Sequence, residues 1–422
     1  MSASAARPEV ALSSSSSSAA SAASSSAASA SASPNGHDAN PTAALRIALF
    51  TEVFPPKVDG ITHTLSRLLE HLEIAGIPAL IVTPRTPGLP ARFAGAEVIG
   101  VPARRFPLYP ELYIAAPWTR VDAALDAFRP DLLHIAGPVA AGLIGIRYGR
   151  RRALPMVMSY HTDIPGFATR WGHAYLAPVL WRLLAQAHRH AALNLAPSHA
   201  TAAELTAHGF PNVDIWTRGV DTALFGPHRR SDAVRHELSG GEPERPLLVY
   251  VGRLSPEKRV DWIVAALDAV PAARLAVIGD GPARPALERR FAGRPVVFAG
   301  LRTGVPLAEA YAAGDVFVFP GANETLGNVV LEAMATGLPV VVPDAGGVLE
   351  HVRDGVTGRL FHAEDRASLG IVVRQLVDAP GERERLGAAA HAYAAQRTWA
   401  RENARLVARY VDVLANDRRA RR

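Results

Sequence analysis

Glu324 and Glu332 stand eight residues apart in the run NETLGNVVLE, with a glycine turn between them. The preceding residues 314–320 (GDVFVFP) are apolar and bounded by turn formers, which predicts a buried strand. Residues 328–337 (NVVLEAMATG) have helical spacing and stop at a glycine, which predicts a helix. Glu324 then sits on the loop at a strand's carboxyl end, where open α/β sheets take their ligands. The backbone amides of Thr325, Leu326 and Gly327 open the helix and favour an anion. A carboxylate for sugar hydroxyls, amides for a phosphate and a second carboxylate for ribose hydroxyls would together make a nucleotide-sugar site. Singly, each glutamate could equally be a first-turn dipole partner or a solvated helix residue. A second cluster upstream decides between these readings.

That cluster is VYVGRLSPEK at residues 249–258. A short β-branched strand runs into a glycine turn bearing Arg253, and Lys258 follows five residues later at the start of a helix expected over 260–270. A guanidinium fork and a compact ammonium at one strand end can hold a diphosphate between them. Cations fixed there stabilise the charge that develops on a leaving nucleoside diphosphate. As surface residues alone they would occupy the electrostatically wrong end of a helix, which itself points to an anionic ligand. Residues 278–282 (IGDGP) give another strand and a turn with Gly279 and Gly281, a weak signal on its own because such turns close many strands.

Two series of strands and helices must position these groups. Strands are expected at 46–50, 79–83, 131–135, 156–160 and 193–196, with a helix over 62–75 and a Pro/Gly loop ending at Asp59-Gly60. This first βαβ unit lacks the three-glycine dinucleotide fingerprint, so nicotinamide or flavin binding is not expected. A single Gly60 instead lets the backbone approach a ligand closely. The second series places strands at 247–251, 274–278, 296–298, 315–319 and 339–342. The expectation is an α/β protein of two doubly wound, Rossmann-like domains at 45–221 and 222–395, joined within 221–246.

These motifs, in this order, resemble the retaining glycosyltransferases of family 4, which have the GT-B fold with a central cleft. The resemblance runs from about residue 46 onward and is carried by GRLSPEK, GDGP, the Glu-x7-Glu of NETLGNVVLE, and GLPVVVPDAGG at 337–347. In the first half FPPKVDGITHTL, SYHTDIPGF and RGVDTALF also fit. Within the family the chain is similar to bacterial lipid mannosyltransferases that use GDP-mannose and to sulfoquinovosyldiacylglycerol synthases that use UDP-sulfoquinovose. The resemblance implies that Arg253, Lys258, Glu324 and His161 carry catalysis. Gly60, Asp163, Gly279, Gly281, Leu301, Thr325, Leu326, Gly327 and Glu332 would then bind the donor, with the base read by backbone around 299–302. It also implies that the segment 396–422 returns as a helix to the first domain, that the anomeric configuration is retained, and that no metal or cofactor is needed. The chain has no Asp-x-Asp motif.

His161, in SYHTD, sits at a strand's carboxyl end beside Asp163, where a structural histidine is as common as a functional one. The resemblance places such a histidine on the donor sugar, whereas Asp163 could touch donor or acceptor or orient His161. Arg218-Gly219-Val220-Asp221 closes the first domain, either as an interdomain turn held by an Arg–Asp pair or, as the resemblance implies, near the cleft, with no chemistry assigned to it.

Composition sets outer limits. The length of 422 residues suits two domains beyond an Ala/Ser-rich head at 1–44 that is too polar and small-chained to bury a core, so disorder is expected there. No apolar run approaches a membrane span, and the absence of cysteine excludes disulfides and thiolate metal sites, which fits a reducing cytoplasm. The net charge of +6 could suggest nucleic acid, but the arginines are scattered and no aromatic-and-basic platform accompanies them. An anionic membrane surface fits better. Residues 167–192 place Trp171, Tyr175, Leu176, Trp181, Leu183 and Leu184 among Arg170, Arg182 and Arg189, as in an interfacial helix, although an ordinary core helix with one charged face gives the same pattern. Arg147, Arg150, Arg151 and Arg152 form a second basic cluster.

The expected activity is therefore hexosyl transfer (mannose, glucose or sulfoquinovose) from an NDP-sugar, GDP-mannose or a UDP-sugar, to a lipid such as diacylglycerol or a glycosyl-diacylglycerol. The protein would be cytoplasmic and peripheral at the inner face of the cell membrane. A soluble or polysaccharide acceptor is the first alternative. A GT-B protein that binds or epimerises a sugar nucleotide is the second, and the acid/base groups that an epimerase would need near the sugar are not found.

Overall fold

The structure, a computed structural model, describes residues 45–421 apart from 58, 107, 108, 171, 323 and 325, and leaves out the side chains of 109–112 and 170. The head at 1–44, Arg170, Trp171 and Thr325 of the expectations above therefore lie outside the described residues.

The first half runs β1 (Ile47–Thr51), α1 (Gly60–Ile74), β2 (Ala79–Pro84), β3 (Arg92–Phe93) and β4 (Ala96–Val101). A hairpin of β5 (Ala103–Phe106) and β6 (Tyr109–Ala115) precedes α2 (Asp122–Phe128), β7 (Leu132–Ala136), α3 (Ala140–Arg152) and β8 (Met156–Ser159). Then come α4 (Ile164–Arg170), α5 (Ala177–His188), β9 (Leu193–Ala196), α6 (His199–Ala207) and β10 (Val213–Ile215). The second half runs α7 (Asp232–Leu238), β11 (Leu247–Val251), α8 (Val264–Ala269), β12 (Arg274–Ile278), α9 (Arg284–Arg290) and β13 (Val296–Gly300). It continues through α10 (Gly304–Ala312), β14 (Val316–Val318), α11 (Asn328–Ala335), β15 (Val340–Pro343) and β16 (Arg359–Phe361). The helices α12 (Arg366–Asp378), α13 (Pro380–Ala395) and α14 (Trp399–Ala420) follow.

Two sheets result. The first has the order β10-β9-β8-β7-β1-β2-β4-β3 and is parallel except between β3 and β4. The second, β13-β12-β11-β14-β15-β16, is parallel throughout. Both are covered on two faces by helices, so β1, β7 and β11 are buried at every residue and read as continuous apolar runs. The order reverses between β1 and β7 in one sheet and between β11 and β14 in the other. A crevice opens at the carboxyl ends of the strands on either side of such a reversal.

Two expectations need correction in detail. The helix expected over 260–270 begins as a 3₁₀ turn, Val260–Ile263, that runs into α8, and Lys258 lies not at its start but in a separate 3₁₀ turn, Pro256–Lys258. Arg259, whose φ of 50° is left-handed and cannot continue an α-helix, divides the two turns. Its guanidinium donates to the Ala363 carbonyl at 2.6 Å and lies over the Trp262 ring, which holds the turn in place. The second correction concerns β3, β4, β5, β6, β10 and β16, which were not anticipated; β3, β5 and β16 are short and carry exposed or half-exposed arginines rather than an apolar run.

The chain crosses between the sheets twice at one place. Val220 donates its amide to the Arg397 carbonyl at 2.8 Å and bridges Thr398, whose hydroxyl caps α14. Leu406, Val407, Tyr410 and Val413 of α14 then join Leu49, Leu65 and Trp216 in the core beneath the first sheet. Leu406 is fully buried, so Leu406→Ala is expected to cost about 2–5 kcal/mol of unfolding free energy. Denaturant unfolding would read this, and a cost below about 0.5 kcal/mol, typical of a surface change, would show α14 to be dispensable to the first core.

Candidate active site

The reversal in the second sheet brings the sequence's two clusters together. β11 leads into the turn with Arg253 and Lys258, while the neighbouring β14 leads into the loop with Glu324. The Lys258 ammonium forms an ion pair with the Glu324 carboxylate and lies 5.5 Å from the centre of the Phe319 ring. Arg253 is exposed, and its carbonyl accepts from the buried Tyr250 hydroxyl at 3.1 Å. Cation and carboxylate thus face one space from adjacent strands, and that space suits a ligand with both anionic and hydroxyl groups.

The Glu324 loop is held from behind. Its carbonyl accepts from the Gly347 amide at 2.6 Å, so the PDAGG turn after β15 buttresses it. Gly327, at φ 80°, is the N-cap of α11 and offers no side chain to satisfy the helix's first amides. Leu326 is buried beneath that turn, and Leu301, just past β13, is 73% exposed. Gly279 and Gly281 have a packing reason for their identity: a Cβ would come within 2.0 Å of the Gly252 carbonyl oxygen at the first and 2.4 Å of the Leu254 carbonyl oxygen at the second. They let the turns after β11 and β12 interlock.

Glu332 projects from α11 and accepts from the buried Tyr311 hydroxyl at 2.8 Å. Burial pushes its carboxyl up to about 7, and the Tyr311 bond only partly offsets this.

The first half contributes from the opposite side. Gly60 is the first residue of α1, and a Cβ there would lie 3.9 Å from the side-chain nitrogen Nδ2 of Asn328, the first residue of α11. The N-termini of α1 and α11 therefore meet across the cleft, a juxtaposition that favours an anion. His161, just past β8, has both ring nitrogens engaged: Arg218 donates to Nδ1 at 3.0 Å, and Nε2 lies 2.7 Å from the Ser159 hydroxyl. Arginine can only donate, so Nδ1 must accept and the proton sits on Nε2. Burial first, then Arg218 and His134, hold this imidazole well below the usual histidine range, so it is neutral. The Ser159 hydroxyl also lies 2.8 Å from Nε2 of the buried His134, whose Nδ1 is 2.5 Å from the Tyr410 hydroxyl on α14. A ring nitrogen of His161 can meet a sugar only by exchanging one of these partners. Asp163 accepts from the Gly166 amide at 2.8 Å at the start of α4.

Several groups had escaped the sequence reading. Glu52 follows β1 as a half-buried carboxylate that accepts amides from Ala115 at 2.6 Å and Ala141 at 2.7 Å, and its burial raises its pKa. It borders a cavity of about 230 Å³ with Lys57, Thr83, Thr86 and Tyr113. His134 and Ser159 were missed, and Arg218 was given no role, because the contacts His134–Tyr410, His134–Ser159 and Arg218–His161 join positions 276, 25 and 57 residues apart.

The surface near α5 divides the expected interfacial residues. Tyr175, Val179 and Leu183 are 72%, 51% and 61% exposed, and Arg182 and Arg189 are exposed beside them. Trp181 instead stacks on His208 at 4.0 Å and lines a groove of about 810 Å³, while Leu184 is buried. In the second basic cluster Arg151 and Arg152 pair with Asp122 and Asp126, and Arg147 binds the carbonyls of Pro117 and Thr119. Of the four, Arg150 is exposed and forms no ion pair among the described residues.

A buried carboxyl with a raised pKa keeps its proton in the folded state up to about pH 7 but loses it near 4.5 when unfolded. Glu332 thus lowers the stability of the unliganded protein as pH rises through that window, by of order 1–3 kcal/mol. Glu332→Gln should match wild type at pH 4.5 and melt increasingly above it from pH 5 to 8. A melting difference independent of pH would show that Glu332 titrates normally.

Residues 58–224 match the family model described as Glycosyltransferase Family 4, and residues 245–379 match the one described as Glycosyl transferases group 1. The sulfoquinovosyl transferase SQD2 of Arabidopsis thaliana is 37% identical over 362 residues, which cover 84% of this chain and 71% of that protein. A GDP-mannose-dependent alpha-mannosyltransferase of Mycobacterium tuberculosis is 40% identical over 361 residues, covering 84% of this chain and 93% of that one. Among solved structures, a sucrose-phosphate synthase from Thermosynechococcus elongatus superposes with a TM-score of 0.75 at 21% identity, over 88% of this chain and 100% of that one, a likeness of fold alone. With two parallel sheets, a cleft at both strand reversals and matches across both halves, this chain belongs to glycosyltransferase family 4 and is a hexosyltransferase of the GT-B fold.

Proposed function

We propose that this enzyme moves a hexosyl group from a nucleoside-diphosphate sugar, a UDP-sugar or GDP-mannose, to the hydroxyl of a lipid acceptor, with retention of configuration. The observation that carries the donor reading is the placing of Lys258 against Glu324 at the strand reversal, with Arg253 and the α11 N-terminus alongside. In this reading Arg253 and Lys258 hold the diphosphate, and Glu332 takes the ribose hydroxyls. Glu324 takes the sugar hydroxyls, with Gly60 and His161 closing the pocket from the other half. As the glycosidic bond breaks, negative charge grows on the leaving phosphate, and the cations and helix amides stabilise it. The acceptor hydroxyl attacks from the face that the diphosphate leaves, and its proton passes to the departing phosphate oxygen. No side chain has to act as nucleophile, in keeping with a neutral His161 committed at both nitrogens and a Glu324 paired with Lys258.

The lipid reading is supported by the exposed Tyr175, Val179 and Leu183 beside Arg182 and Arg189, rings and aliphatics next to cations that suit an anionic interface. The curated relatives support it less directly, since one of them is named a phosphatidylinositol dimannoside mannosyltransferase, at 30% identity over 317 residues. No helix among the described residues is long and apolar enough to cross a membrane. The proposed location is therefore peripheral, at the cytoplasmic face of the cell membrane.

Arg253→Ala and Lys258→Ala should each lower kcat on the order of 10²- to 10³-fold with the fold retained by circular dichroism. Unchanged turnover in either would remove that cation from the mechanism. Thermal shifts with UDP, GDP and ADP identify the base, since only a ligand that binds the native state raises the melting temperature. For the acceptor, Leu183→Glu with Tyr175→Ser should abolish co-sedimentation with anionic vesicles and spare donor hydrolysis. Equal sedimentation of the variant would place the membrane contact elsewhere, and no sedimentation by wild type favours a soluble acceptor.

A further inference from the structure

Arg218 follows β10 and is only 7% exposed. Its guanidinium spends two of five N–H groups, on the Trp216 carbonyl at 3.2 Å and on His161 Nδ1 at 3.0 Å, and lies over the Trp216 ring. No carboxylate among the described residues pairs with it. Asp221, three residues on, pairs with Arg67 at 3.4 Å and accepts the amides of Ala223 and Leu224. The titratable neighbours are neutral: burial, then Arg67 and Arg218, hold His63 at about 4 against a smaller opposing pull from Asp221, and burial and Arg218 keep His161 and His134 neutral. Burial pulls the guanidinium itself down to about 10. A buried cation with no counter-charge is a costly arrangement for a protein to keep for packing alone.

Its place explains why it is kept. His63 lies one helical turn beyond Gly60 on α1, and so shares a face with it. Gly60 in turn opposes Asn328 at the start of α11. Arg218 therefore lies against His161 and acts electrostatically on His63, on the first half's side of the cleft.

We infer that Arg218 is an oxyanion-binding residue of the donor site, supplying from the first half the counter-charge to an anion that Arg253 and Lys258 approach from the second. This rests on the NDP-sugar reading and extends it. The anion is either the diphosphate or an acidic substituent on the transferred sugar, and both would use the same unspent N–H groups. A donor then bridges cations on both halves, which couples its binding to closure of the cleft.

Arg218→Met, of similar length but uncharged, separates an anion site from a structural role, and calorimetric affinity is the readout. Wild type is titrated first with UDP and GDP; if it binds neither, the NDP-sugar reading itself fails. If wild type binds, Arg218→Met should melt no lower than wild type when unliganded, because it removes an uncompensated buried charge. It should also bind the preferred diphosphate about 10- to 100-fold more weakly. An unchanged diphosphate affinity with the same loss confined to UDP-glucuronate, a probe with an acidic sugar, assigns the anion to the sugar. Should Arg218→Met fold poorly, Arg218→Lys, which keeps the charge but not the fork, should fold and retain part of the affinity. Unchanged affinity for diphosphate and for UDP-glucuronate in a folded variant would overturn the inference and leave Arg218 a structural residue.

Discussion

A parallel sheet whose strand order reverses has to send the loops of two adjacent strands to opposite faces, and the space between them cannot be filled by either loop. Everything chemical in the second half of this protein depends on that constraint. β11 and β14 are the two strands at the reversal, and their loops carry Arg253, Lys258 and Glu324. Because the sheet is covered by helices on both faces, the crevice at its carboxyl edge is where polar side chains can gather without disrupting the core. The interlocking of Gly279 against Gly252 and of Gly281 against Leu254 draws the β11 and β12 turns together at that edge.

The charges across the cleft are unequal. The second half brings a cation and a carboxylate already paired, together with Glu332, whose carboxyl is kept against burial by a single tyrosine hydroxyl. From the first half come neutral imidazoles and a guanidinium that no described carboxylate balances. Two helix N-termini, of α1 and α11, face each other between them. A ligand that is anionic at its centre and rich in hydroxyls at both ends matches this layout, as a sugar nucleotide does.

The first half's contribution is fixed from a distance. α14 comes back across the molecule beside Val220, buries Leu406 and Tyr410 under the first sheet, and places the Tyr410 hydroxyl at the end of the line through His134 and Ser159 to His161. The orientation of one cleft residue is thereby tied to a helix more than two hundred residues further along the chain. His161 has no rotational freedom left at either nitrogen, so its tautomer is a property of the fold.

The sequence by itself determined which residues carry charge at strand ends. Strand periodicity, glycine turns and the spacing of Arg253, Lys258, Glu324 and Glu332 are local properties, readable because parallel strands are continuous apolar runs that end abruptly. It also placed most strands of both sheets within a few residues. The break at Arg259 escaped it, since a left-handed arginine is held by contacts to Ala363 and Trp262 that spacing does not encode. So did the division of residues 167–192, where the same aromatic-and-arginine pattern stacks Trp181 on His208, buries Leu184 and exposes Tyr175 and Leu183. Only the tertiary structure could decide what Arg218 faces, because a residue's lack of a counter-charge depends on every element packed around it and on none of them alone.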